Sequence, residues 1–311
     1  MIPNYRMLAE SAATLRTPSW AWLDVPCPAC GNTTGELVLQ APGWQNFADR
    51  IFAVVRCSTC CVWYTSPLPE PLALSPDQSV KETSEAERMG KVLARHLGVA
   101  RPRGQWLLHI GAAHPSFASL ASRAGWRVML WRAHPCEVPE NWWAAGGFAI
   151  FGSLTDLAEH FRQQVTCLTC ADWLERQPSW APILASWRSL LAPGGRLLLL
   201  LPNLGGIGSR HYGGLWRGLD LPHRRGHFTA ASLTRVLQAA GWRIRRLCSY
   251  GCLSWLEESA HRWRDWSQAA HTVGYRRWRL WWRTCRFHNW LLASLGPMVG
   301  QGDWLVAEAV P

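Results

Sequence analysis

From residue 104 onward the chain alternates short apolar runs with longer amphipathic stretches. The runs at 105–110, 126–131, 147–151, 164–169 and 196–202 are continuous rather than alternating, so each reads as a strand covered on both faces. Stretches near 115–124, 137–145, 154–161 and 180–191 are long enough for crossover helices, and Met89, Val92, Leu93 and Leu97 mark one face of a helix over 82–97. Strand, helix and strand in that order build a parallel sheet. A helix over 230–240 and strands over 242–248 and 304–309 follow, separated by a Trp-rich, Arg-rich stretch over 255–295 that reads as helical. The pattern before residue 76 differs. A lead over 1–24 precedes Cys pairs, Gly, Pro and short β-rich runs from Pro26 to Pro69, and Pro67 to Lys81 has the composition of a linker. The expected class is therefore α/β, with a small module over 1–75 and a sheet domain over 76–311 that carries a basic, Trp-rich helical insertion at about 251–298.

The small module has its own chemistry. Cys27-Pro28-Ala29-Cys30 and Cys57-Ser58-Thr59-Cys60 make two C-x2-C pairs. Two such knuckles can set four thiolates at the corners of a tetrahedron about Zn²⁺. Four thiolates close the coordination sphere, so Cys27, Cys30, Cys57 and Cys60 are expected to hold a structural ion. A segment too small for a core would draw roughly 10–16 kcal/mol of folding energy from it. Cys61 stands where Gly would suit the turn and is a competing ligand. Cys167 and Cys170 repeat the spacing inside an expected strand, where they point to opposite faces and read as core.

Composition narrows the classes. The apolar fraction of 48% against 17% charged excludes whole-chain disorder. No apolar run approaches the roughly 18 residues of a membrane span. Residues 1–17 lack the apolar core and cleavage site of an export signal, and eleven cysteines without such a signal point to a reducing, cytoplasmic setting. Net charge is +11, and only Lys81 and Lys91 are lysines, the other cations being arginines. Such a balance suits an anionic partner, or reflects Arg-rich codon usage. The cations are spread along the chain, which argues against nucleic acid. Within 276–292, Trp278, Trp281, Trp282, Cys285 and Leu292 share one helical face, with Arg276, Arg279, Arg283 and Arg286 on another. Such a helix packs on its own domain or lies on an anionic membrane, which would place the protein peripherally at the inner membrane surface.

The strand at 105–110 runs into Gly111-Ala112-Ala113-His114-Pro115-Ser116, the turn where an αβ unit of this order binds its cofactor. Further on, Leu191-Ala192-Pro193-Gly194-Gly195 precedes a strand that ends in Pro202-Asn203. The run from Tyr212 through Trp216, Leu219-Asp220, Pro222-His223-Arg224-Arg225 and His227-Phe228-Thr229 is followed by Ala240-Gly241-Trp242 and Gly302-Asp303. These stretches resemble the "L-x-P-G-G", "P-N", "W-x-x-L-D-x-P-R-H-L-x-H-F-S", "A-G-F" and "G-D" elements of class I S-adenosylmethionine-dependent methyltransferases. The subgroup resembled carries an N-terminal zinc ribbon and is frequent in sugar and surface-polysaccharide pathways. The resemblance covers Cys27 to Pro69, about 104–250, and 300–309. It implies a Rossmann-like sheet of parallel strands plus one antiparallel last strand, S-adenosylmethionine as cofactor, and a small, glycan or lipid-linked acceptor.

The same alignment implies the site residues. His109, Gly111 and Ala113 stand in the cofactor loop, Arg132 at the ribose position, and Ser153 and Leu154 at the adenine turn. His223 and His227 are the candidate bases, with Asp220 to orient one of them or to cap a turn. His109 replaces the family's acid, Ala113 and Pro115 replace glycines, and Arg132 carries only donors. Two readings follow: methyl transfer through an altered site, or a non-catalytic scaffold that has lost or changed its ligand. A third, RNA methylation, is weakened by Cys170-Ala171-Asp172-Trp173, which lacks the Asp-Pro-Pro-aromatic element of base-amino methylation.

Overall fold

The computed structural model describes residues 22–44, 47–69, 84–100, 102–132, 138, 141–269 and 275–311, with backbone alone at 267–269 and 275–284. In chain order the elements are β1 (Trp22–Leu23), β2 (Gly35–Pro42), β3 (Ile51–Cys57), β4 (Trp63–Thr65), β5 (Leu68–Pro69), α1 (Ser84–Leu97), β6 (Trp106–Gly111), α2 (Pro115–Arg123), β7 (Arg127–Arg132), β8 (Gly147–Phe151), α3 (Leu154–His160), β9 (Val165–Ala171), α4 (Ala181–Leu190), β10 (Leu191–Pro202), α5 (Ile207–Tyr212), β11 (Gly226–His227), α6 (Ala230–Ala239), β12 (Arg243–Tyr250), α7 (Leu253–Ala269), α8 (Tyr275–Leu295) and β13 (Trp304–Val310). They gather into two compact units. One comprises Ser75–Leu201, Leu233–Cys248 and Leu305–Pro311; the other comprises Met1–Leu74, Pro202–Ser232 and Ser249–Trp304.

The first unit is built on a seven-stranded sheet of order β12-β13-β10-β9-β6-β7-β8, mostly parallel with an antiparallel final strand. This is the Rossmann-like α/β sheet that the resemblance implies, including its antiparallel last strand. β6 lies between β7 and β9 in parallel register, Leu108 opposite Met129 and Leu168. Leu107, Leu108, His109 and Ile110 are wholly buried, as expected for a strand covered on both faces. Tryptophan fills much of this core: Trp131 meets Trp173 edge-on at 5.6 Å, and Trp173 lies 6.0 Å from Trp187. Cys167 and Cys170 are both buried in β9 and have no place in a metal site.

One expected element is missing. Instead of a helix over 137–145, residues 141–146 form consecutive turns, while 137, 139 and 140 lie outside the described residues. Gly146, at φ +84°, ends the segment in a left-handed conformation that no α-helix contains. Trp142 inside this stretch is buried and donates from Nε1 to the Phe148 carbonyl at 2.8 Å.

In the second unit the sheet order is β11-β4-β3-β2, with β1 and β5 as a separate antiparallel pair. β11 comes from far along the chain, placing Gly226 opposite Tyr64 and His227 opposite Trp63. Leu68 and Pro69, inside the expected linker, form β5, and the remainder of that linker lies outside the described residues, as does the lead before Trp22. The basic insertion is two helices, α7 and α8. A row of rings supports α7: Trp216 to Trp255 at 5.8 Å and Trp255 to Trp304 at 5.5 Å, both edge-on. No helix among the described residues is long and apolar enough to cross a membrane.

Candidate functional site

In the first unit, the turn after β6 is shaped by close backbone approach. Gly111 has φ +92°, and a Cβ there would stand 2.0 Å from the Ala171 carbonyl oxygen, so only glycine fits. The Ala112 amide donates to that oxygen at 2.8 Å. Ala112 and Ala113 are buried. α2 then starts on an N-cap, His114, whose Nδ1 accepts from the Ser116 amide, with Pro115 at the first helical position.

His109 does not reach into this turn as a free side chain. Its Nε2 is 2.7 Å from the Ala112 carbonyl, which can only accept, so Nε2 carries the proton. Nδ1 lies 2.8 Å from Thr169 Oγ1 and takes the other bond. The ring is tilted against Phe117 at 4.7 Å. Burial pushes the imidazole down to about 4, and the Arg132 charge adds to the effect. The strand thus carries a neutral pin that ties the turn after β6 to β9.

Arg132 is the last residue of β7 and is buried; its Nη1 donates to the Trp131 carbonyl at 3.2 Å, and its own carbonyl accepts from Gly152. Gly152 has φ +134°. Ser153 caps α3 in a reciprocal box with Asp156, and Leu154 opens that helix. The structure therefore places His109, Gly111, Ala113, Arg132, Ser153 and Leu154 along the ends of β6, β7 and β8, the edge where open α/β sheets bind ligands.

The second unit holds the four-cysteine cluster and the candidate histidines His223 and His227. Sγ of Cys27 is 3.5 Å from that of Cys60, and Cys30 is 3.6 Å from Cys57. All four sulfurs lie within 4.8 Å of one another. Four thiolates about 2.3 Å from a central ion are about 3.8 Å apart, so the cluster has tetrahedral zinc dimensions. The knuckles are alike: Gly31 donates to the Cys27 carbonyl at 2.8 Å and Cys61 to that of Cys57 at 3.0 Å. Cys61 sits at φ +58°, the glycine-like place, outside the cluster. Burial raises the Cys27 thiol, with Cys60 adding to the effect and the Ala29 and Cys30 amides opposing it.

His227 is buried, with Nε2 3.0 Å from Thr65 Oγ1. That hydroxyl gives its hydrogen to the Arg224 carbonyl at 2.9 Å, so His227 is the donor. Burial, then the neighbouring Arg224, pushes the ring down to about 3, with Asp220 opposing. His223 differs. It is only partly buried, its Nδ1 lies 3.6 Å from Asp220 Oδ1, and Phe47 meets its ring edge-on. Asp220 takes a left-handed conformation at φ +44° and also faces Arg217 Nη1 at 3.2 Å. Arg217 and Arg262 lie on the Trp44 ring at 4.5 and 4.4 Å. Thr169, Thr65, Arg217 and Trp44 were not among the sequence candidates; nothing in local spacing points from a histidine to a threonine on another strand.

Residues 82–247, just over half of the chain, match the model of a family described as a methyltransferase domain. No curated protein matches the chain. Among solved structures, a SAM-dependent methyltransferase from Archaeoglobus fulgidus is 11% identical with a TM-score of 0.47, covering 72% of this chain and 93% of that one. The 1,6-didemethyltoxoflavin-N1-methyltransferase of Burkholderia thailandensis is 15% identical at TM-score 0.45, covering 83% and 94%. A S-adenosylmethionine-dependent methyltransferase from Mesorhizobium loti is 11% identical at 0.42, covering 72% and 99%.

Proposed function

The chain belongs to the methyltransferase-domain family, and we propose that it is an S-adenosylmethionine-dependent methyltransferase acting on a small, glycan or lipid-linked acceptor. The observation that carries this reading is the turn at Gly111, where positive φ and a 2.0 Å Cβ clearance keep the backbone close to β9 although the neighbouring glycines are gone. Small buried alanines follow it, and His109 fixes its carbonyl. Gly111, Ala112 and Ala113 would hold the cofactor at its amino-acid end, and Ser153 and Leu154 at the adenine turn. Bound there, the cofactor supplies a methyl group on a sulfonium, open to SN2 displacement by the acceptor. Arg132 meets the ribose hydroxyls as a donor, the reverse of the usual carboxylate. Within its own unit His223 is the candidate base, its Nδ1 3.6 Å from Asp220 Oδ1. His227, already a donor and held near pKa 3, keeps the loop in shape. The four cysteines hold a structural Zn²⁺ that fixes β2–β4.

A second reading, a scaffold that has abandoned the cofactor, is favoured by Arg132, whose cation replaces a carboxylate near a cationic ligand. Calorimetric titration separates the two. Saturable heat with S-adenosylmethionine, and tighter binding of uncharged S-adenosylhomocysteine, supports the enzyme. Arg132→Glu should then tighten S-adenosylmethionine by about tenfold, roughly 1.4 kcal/mol. No heat and no thermal shift with either ligand at millimolar concentration would leave the scaffold.

A further inference from the structure

α5 and α8 belong to the same unit and are joined by a buried hydrogen bond. Side chains of α8 are described from Cys285 onward, so the expected faces of Trp278, Trp281 and Trp282 and of Arg276, Arg279 and Arg283 lie outside the described residues. Tyr212, the last residue of α5, is buried and donates from Oη to Asn289 Oδ1 of α8 at 2.5 Å. Away from water such a bond is strong, and breaking it would strand a buried donor. One residue earlier on each helix stands a histidine, His211 and His288, and both are exposed. The buried Tyr212–Asn289 bond therefore fixes the spacing of an exposed histidine pair beside it.

The two imidazoles face each other, with ring centres 4.8 Å apart and planes inclined by 50°. His211 is held further by the Tyr212 ring, which meets it edge-on at 4.6 Å. Two imidazoles bound to one ion at about 2.05 Å, each with about 1.15 Å from nitrogen to ring centre, have centres about 4.5–5.3 Å apart for angles of about 90–110° at the metal. The observed separation falls inside that interval. Among the described residues, no hydrogen bond or ion pair takes up a ring nitrogen of either histidine. The charged neighbours are engaged elsewhere: Arg210 donates from Nη1 to Gln301 Oε1 at 3.3 Å, and Arg286 Nε lies 3.4 Å from Glu257 Oε1 of α7. Partial burial, then the His288 ring, lowers the proton affinity of His211. The pair is thereby biased towards the neutral form that ligates metals.

We propose that His211 and His288 form a metal site distinct from the cysteine cluster, which takes a divalent transition ion of the Zn²⁺, Ni²⁺ or Cu²⁺ class. Two neutral nitrogens without a carboxylate suit these ions and not Mg²⁺ or Ca²⁺, which draw on oxygen ligands. Two protein ligands leave the other coordination positions to water, so this site is open and exchangeable where four thiolates are closed. An ion held by both rings clips α8 to α5, and α5 runs directly into the stretch 212–229 that carries Asp220 and His223. Neither histidine has a part in the methyl-transfer reading, and the inference stands apart from it.

The test is calorimetric titration of Ni²⁺ into the full chain, first equilibrated with Zn²⁺ and desalted so that the thiolates are filled. Saturable nickel binding is expected, and its affinity should fall about tenfold or more in His211→Gln and in His288→Gln, each of which removes one of two ligands. Both positions are exposed, so without nickel the variants should melt with the wild type. Bound nickel should raise the melting temperature of the wild type and slow hydrogen exchange in 207–212, and Mg²⁺ should do neither. A second measurement needs no variant. In the wild type with isotope-labelled histidine rings, substoichiometric Ni²⁺ should shift and broaden the His211 and His288 signals before those of the other histidines. Absence of nickel heat, equal affinity in the wild type and both variants, or broadening that begins at other histidines would overturn the proposal and leave the pair as a ring contact.

Discussion

Two buried histidines, His109 and His227, are held neutral by burial and by a neighbouring arginine, one bonded to the turn after β6 and one to Thr65 of β4. Each binds a proton more weakly in the folded chain, at about 4 and about 3, than an unfolded histidine near 6.5. The sign follows: their stabilisation is complete above about pH 6.5 and is lost as pH falls, because the unfolded chain protonates first. His109 alone should account for on the order of 3 kcal/mol between neutral pH and pH 4. Urea midpoints at pH 7 and pH 4.5 should separate widely in the wild type and less in His109→Gln; an equal separation would show that the imidazole does not titrate this way. His223 and His227 divide by the same logic. Replacing His227 with Ala removes a buried hydrogen bond and packing volume, and should cost about 2–3 kcal/mol of stability. His223→Ala should leave the melting temperature nearly unchanged and lower kcat. If instead His227→Ala loses turnover at full stability, the two roles are exchanged.

Among the elements, those with a repeating pattern were legible and those built by a distant partner were not. The five parallel strands of the first unit lie where continuous apolar runs predict them, because a strand covered on both faces needs no polar alternation. The two cysteine knuckles were readable for a similar reason: C-x2-C is local geometry, and the cluster forms with Cys27, Cys30, Cys57 and Cys60 while Cys61 takes the left-handed turn position. The segment at 141–146 misled because Trp142 and Trp143 look helical until the left-handed Gly146 is counted as its limit. β11 has two residues and no period to read; its pairing with β4 is a long-range event. The site was legible as a set of positions along the strand ends, but not in its bonds, since the partners of His109 and His227 are threonines far away in sequence. If the knuckles bind zinc, elemental analysis should find one ion per chain. Cys30→Ser should lose it, and a strong chelator should raise hydrogen exchange in β2–β4 while β6–β10 stay protected. A metal-free chain with β2–β4 fully protected would make the four thiols ordinary core.

For the molecule as a whole, the consequential feature is that the cysteine-bearing unit is not a bead at the front of the chain. It is assembled from Met1–Leu74, Pro202–Ser232 and Ser249–Trp304. The return of the chain at β11 gives β4 its outer neighbour, the Thr65 amide donates to the Arg225 carbonyl at 2.8 Å, and the Trp44 amide donates to that of Leu221 at 2.6 Å. Arg262 of α7 likewise donates to the carbonyls of Pro42 and Gly43, at 3.1 and 2.7 Å. Removing residues 1–75 therefore takes away more than a metal module. It strips His227 of its Thr65 partner and leaves Arg217 and Arg262 without the Trp44 ring on which both lie. Buried donors lacking acceptors each cost about 1–3 kcal/mol, so the loop that carries Asp220 and His223 should lose its order in a chain beginning at 76. Hydrogen exchange is the suitable measurement: peptides from 212–229 and 253–266 should become unprotected, while those from β6, β9 and β10 exchange as in the full chain. Protection retained in 212–229 after the deletion would mean that the loop is held by its own segment alone, and that the two chain-distant pieces of this unit are separable.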